Sequence, residues 1–187
     1  MPFTLPGLVD FPKEAAILGK LVLGYGEIEY AICLCLGSAL NDTNTALKIM
    51  YRSRNEETRI EISDAIMRGK FREVELTELY CEAISGAHWC RKIRNQFAHC
   101  HFDGSSPKNL RFTSLETPAK SKGEDLIIKM RGITLDLAEK QDEYFGHIQW
   151  TFFYLQREYE FRMGRTSIKP QIELTKVPQP PLYTSRS

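Results

Sequence analysis

Apolar residues recur every three or four positions over long stretches of this chain, the period of helices that bury one face. Asp10-Phe11-Pro12 supplies a capping side chain and a first-turn proline, so a long helix is expected from there to about residue 37. Ile17, Leu21, Tyr25, Ile28, Ile32 and Leu36 make its apolar face, and Gly24 and Gly26 within it suggest close approach to a neighbouring helix. Asn41-Asp42-Thr43 caps a short second helix, and Ser53-Arg54-Asn55-Glu56 has the capping-box spacing that opens a third. A fourth helix is expected from about residue 73 to residue 97, with Leu76, Leu79, Tyr80, Ala83, Ala87, Cys90, Ile93 and Phe97 on its buried stripe.

After residue 103 the pattern changes. Gly104, Pro107, Pro118 and Gly123 stand among Ser, Thr and Lys and read as loops, while residues 111–115 and 126–130 are β-prone and expected to pair as a hairpin. Thr134 caps a last helix from about residue 135 to residue 163, with Leu137, Tyr144, Phe145, Ile148, Phe152, Leu155 and Tyr159 on its stripe. Beyond Gly164, Pro170, Pro178, Pro180 and Pro181 accompany few large apolar residues, which predicts an extended or disordered tail whose removal leaves thermal stability nearly unchanged. The expected architecture is mainly α: one helical domain over residues 1–164, with a small β-hairpin insertion (about 103–131) before the last long helix, then a tail over 165–187.

With 187 residues, 42% hydrophobic and 26% charged, the chain has the profile of a single soluble domain able to bury a core without disulfides or metal. Twenty-five Lys and Arg against 24 Asp and Glu leave a net charge of +1, which excludes a bulk polycation that coats nucleic acid and an acidic mimic of it. Five cysteines at irregular spacings, none in a C-x2-C pair, point to free thiols and a reducing compartment. Residues 15–40 are the most apolar stretch but contain Lys20, Glu27 and Glu29, a poor match to a membrane span. Residues 1–6 lack the positive start and the cleavage site of a signal peptide. The expectation is a cytoplasmic protein without a membrane partner.

Candidate chemistry concentrates in Arg91-Lys92-Ile93-Arg94-Asn95-Gln96-Phe97-Ala98-His99-Cys100-His101. A cationic cluster can hold a phosphate, and a histidine titrating near neutrality can move protons. The combination suits phosphodiester chemistry better than metal chemistry. His88, Cys90, His99, Cys100 and His101 match no established zinc spacing. Cys33-x-Cys35 lies within an apolar helix and reads as packing, and no Gly-rich phosphate loop, G-x-S-x-G or H-E-x-x-H occurs.

Arg94-Asn95-x-x-x-His99 at the end of a long helix resembles the signature of HEPN domains, all-α dimers whose R-x4-6-H motif marks metal-independent ribonucleases. The likeness extends to Gly24-Tyr-Gly-Glu-Ile-Glu29 in the first helix and to the helical order over roughly residues 13–163, as an up-and-down bundle. It implies His99 as general base or acid at the RNA 2′-hydroxyl or leaving oxygen, and Arg94 as the group that stabilises phosphate charge. Asn95 joins them as a site residue. Arg91 and Lys92 are implied phosphate contacts, His101 and Glu29 additional candidates, and no cofactor is required. On an ideal helix Asn95 lies one turn below His99 and can orient its imidazole, whereas Arg94 sits about 140° away. Arg94 and His99 therefore share a site only if the helix ends near Ala98 or a partner subunit supplies one of them. The family implies a composite site at a homodimer interface, RNA as substrate, a 2′,3′-cyclic phosphate product, and roles as toxins or antiviral effectors held silent by an antitoxin or regulatory protein. The alternative is a non-catalytic dimer module that binds RNA or protein. The bland reading of the same residues is a solvated helix end whose histidine meets the helix dipole.

Overall fold

A computed structural model describes residues 6–103, 109–115, 119, 128–171 and 173–184. The order is α1 (Pro6–Val9), α2 (Pro12–Leu40), α3 (Thr43–Arg52), α4 (Glu56–Glu73), α5 (Thr77–Ala98), β1 (His101–Asp103), β2 (Leu110–Thr113), β3 (Arg131–Ile133) and α6 (Leu135–Arg162). The fold is mainly helical with a small antiparallel sheet.

Several boundaries differ from expectation. The third helix runs through to Glu73 and the fourth starts only at Thr77, because the chain turns at Glu75, whose φ is +58°. Arg162 Nη1 holds this joint by donating to Val74 O at 2.6 Å. The expected hairpin is a three-stranded sheet of order β1-β2-β3. Its second expected strand is displaced: residues 128–130 carry no strand, pairing starts at Arg131, and residues 126–127 lie outside the described residues. By length and composition α2 could cross a membrane, its most apolar 18-residue window having a mean hydropathy of 1.3. Of that window 61% is buried within the protein, as in a core helix.

The chain divides into two compact units. One comprises Gly24–Arg91 and Tyr144–Pro178. Its interior is apolar and aromatic: Phe71 stacks on Tyr80 at 4.8 Å between ring centroids and lies 4.9 Å from Tyr159. Gly86 on α5 provides the close approach, since a Cβ there would meet Ile148 Cδ1 at 2.2 Å. Gly24 and Gly26, expected to serve that purpose, have open space where a Cβ would stand. Cys33 and Cys35 are buried, and Cys35 Sγ donates to Phe152 O at 3.2 Å.

The other unit comprises Met1–Leu23, Lys92–Glu143 and Gln179–Ser187. Its sheet pairs Phe102 with Phe112 and Asp103 with Arg111 across β1–β2, and Arg111 with Gly132 across β2–β3. An Asp103–Arg111 ion pair links one of these cross-strand pairs. Phe97 meets Phe112 edge-on at 5.1 Å, which seats the end of α5 on the sheet. The tail has no helix or strand over residues 173–183, but its end does not hang free. Thr184 bridges β3 at Gly132, and the carbonyls of Pro181 and Leu182 accept hydrogen bonds from Gln141 and Gln96. The segment is thus extended, as expected, and its end is bonded to the fold.

Candidate functional site

The last turns of α5 carry the Arg94–His99 run, and the helix stops at Ala98. Phe97 anchors this end because it is 5% exposed and locked on Phe112. His99 falls in the turn immediately after the helix and is exposed. Its side chain is thus released from the angular spacing of an ideal helix, the condition under which Arg94 and His99 can face one site. Arg94 is half-buried and its Nη1 donates to Asn95 Oδ1 at 2.9 Å. That bond changes the expected role of Asn95. Its amide oxygen holds the guanidinium, and among the described residues no hydrogen bond joins Asn95 to His99.

His101, seven residues after Arg94, would share its face only on a continued helix, but it is exposed on β1, opposite Thr113. Arg91, an expected phosphate contact, meets an acid of its own fold. Its side chain is only 15% exposed, and Nη2 donates to Glu57 Oε1 at 2.7 Å, so its charge is answered within the fold. Lys92 is exposed beside it on α5. Glu29, an additional candidate for the site, is 6% exposed, and Arg59 Nη1 donates to both of its carboxylate oxygens at 2.9 Å. A buried, two-oxygen ion pair of this kind holds α2 to α4 and leaves no carboxylate for proton transfer.

Cys100 follows His99, but burial pushes its thiol up to about 12, so it is not a thiolate nucleophile at neutral pH. His88 is held below the ordinary imidazole value by burial and then by the charge of Arg91. Among the described residues no group of three His, Cys, Asp or Glu side chains converges as metal ligands do.

Two residues escaped the sequence reading. Gln96, inside the motif run, donates Nε2 to Leu182 O at 2.7 Å, and the fully buried Gln141 donates Nε2 to Pro181 O at 2.8 Å. The available signal was Gln141 itself, an amide between Leu137 and Tyr144–Phe145 on an otherwise apolar stripe. No protein-family model, curated protein or solved structure matches this chain.

Proposed function

We propose that this protein is a metal-independent endoribonuclease of HEPN type, acting in the cytoplasm as a homodimer whose site joins groups from both subunits. The observation that carries the reading is the end of α5 at Ala98, which leaves His99 exposed five residues after a half-buried arginine. An imidazole open to solvent can take the proton from an RNA 2′-hydroxyl and return one to the leaving 5′-oxygen. Attack of that 2′-oxygen on the adjacent phosphorus expels the 5′-oxygen and leaves a 2′,3′-cyclic phosphate. Arg94, steadied by Asn95, offers N–H donors to the phosphorane charge, and Lys92 offers a diffuse contact to a flanking phosphate. An antitoxin or regulatory protein that covers this helix end would silence it.

A second reading, a non-catalytic module binding RNA or protein, is favoured by the Arg94–Asn95 bond, which also suits a purely structural arginine. RNA cleavage in excess EDTA separates the two. Wild type is expected to produce cyclic-phosphate ends, with Arg94→Ala and His99→Ala each reducing the rate by about 10²–10⁴-fold while remaining folded dimers. Mixing the two inactive variants should restore part of the activity if the site is composite. Cleavage unchanged in both variants, or none by any protein, favours the binding module.

A further inference from the structure

Several recognition contacts converge on one short piece of extended chain. Gln96 Nε2 on α5 donates to Leu182 O at 2.7 Å. Gln141 Nε2 on α6 donates to Pro181 O at 2.8 Å and to Leu182 O at 3.1 Å. On the outer edge of the sheet, the Thr184 amide donates to Gly132 O at 2.9 Å and its hydroxyl donates to the same oxygen at 2.7 Å. The Arg131 guanidinium lies 4.7 Å from the centre of the Tyr183 ring. Beside the segment a cleft of about 340 Å³ is lined by Leu137, Lys140, Pro181 and Tyr183.

Main-chain carbonyls read by fixed side-chain amides, together with an added rung on a free strand edge, are the means by which proteins bind extended peptides. Gly132 makes the approach feasible, because a Cβ there would meet Asn109 Nδ2 at 2.7 Å and Thr184 Oγ1 at 3.4 Å. The fit has one systematic gap. The Oε1 atoms of Gln96 and Gln141 are both buried with no hydrogen-bond partner among the described residues. A side-chain amide presents a donor and an acceptor together, but Pro180 and Pro181 have no N–H to give. The occupant therefore uses the donors of both amides and leaves both acceptors unmet, which weakens its hold. It is also carried on a tether that has no helix or strand over residues 173–180, with Glu173, Thr175 and Lys176 exposed, so it can leave without unwinding an element.

We propose that the groove bounded by Gln96, Gln141 and the β3 edge is a recognition site for an extended, proline-containing peptide. Residues 180–184 are its occupant in cis, exchangeable with the same segment supplied in trans. The assignment is independent of the ribonuclease reading, since it uses neither Arg94 nor His99.

Its test keeps the full chain, folded with a specific-protease site inserted between Thr175 and Lys176 and then cut. A fluorescent synthetic peptide of residues 176–187 is titrated into the cut protein and followed by anisotropy. Saturable micromolar binding, chased by excess unlabelled peptide, is the expected result. A peptide carrying Thr184→Pro, which lacks the edge N–H, should bind roughly tenfold more weakly, and so should the wild-type peptide to a cut Gln141→Leu chain. A Pro181→Ala peptide, which offers the missing N–H, should bind more tightly. The peptide variants leave the protein untouched, so their outcome does not depend on how Gln141→Leu folds. No exchange into the cut protein, or equal affinity of the wild-type and Thr184→Pro peptides, would overturn the proposal.

Discussion

The two units of this protein are held in different ways. In the unit of Gly24–Arg91 and Tyr144–Pro178, large side chains recur at helical spacing and meet ring on ring, as Phe71, Tyr80 and Tyr159 do. Its buried Glu29 accepts from Arg59 through both carboxylate oxygens, and its buried Glu158 accepts from Arg162 Nε through one. In the other unit the sheet strands are three or four residues long, and beside the buried Leu110, Phe112 and Ile133 the segment at 181–184 is held by side-chain amides, backbone carbonyls and a threonine hydroxyl. Apolar burial is non-directional and scales with area, so a core built that way tolerates no release of its parts. Hydrogen bonds that trade with water contribute little net stability each, so a closure built on them can open locally while the rest stays folded.

The largest effect should come from the apolar side of this contrast. Phe71→Ala removes a ring with 0% exposure from between two others and should destabilise the fold by about 3–5 kcal/mol, measured by denaturant unfolding. A loss below 1 kcal/mol would mean that this core is looser than its packing implies. Gln141→Leu should cost less, about 1–2 kcal/mol, because two hydrogen bonds disappear but a buried acceptor without a partner disappears with them. Native-state hydrogen exchange should place that loss at Thr184 and the β3 edge and spare α4; uniform loss of protection would erase the distinction between the units.

The smallest effect is acid-dependent. His88 and His147 are both held below the ordinary imidazole value, each chiefly by burial. The unfolded chain therefore binds protons that the folded chain refuses. Their contribution is constant above about pH 6.5 and lost as pH falls from there through the depressed folded-state values. Thermal midpoints measured down this range should drop, and a His88→Asn, His147→Asn double variant should flatten the slope.

The same contrast explains what was legible in the sequence. The helices of the aromatic unit announce themselves by period and caps: Asp42 accepts from a first-turn amide of α3 as its position suggests, whereas α4 is capped by Asn55, and Ser53 of the expected capping box is the C-cap of α3. The joint after Glu73 was not legible, since no glycine or proline marks it and the turn at Glu75 is secured by Arg162, 88 positions from Val74. β1 and β3 are too short to show a period, and the strand at Arg131–Ile133 is paired on both edges by partners remote in sequence. At the candidate site, the run from Arg94 to His99 and its place at a helix end were readable. That Arg91 belongs to Glu57, 34 positions away, and that Asn95 serves Arg94 were not. Spacing orders side chains along a helix, but it does not say which remote group answers them.

The clamp on the chain's last segment also bears on the order of assembly. Gln96 and Leu182 are separated by 86 positions, and the unit containing them is drawn from three separate stretches of chain. Closing so long a loop costs entropy that only a few hydrogen bonds return, so this contact is placed late, after local helices have formed and shortened the path. The last turn of α5, just before His99, thus acquires one of its neighbours only in the closing stage of folding.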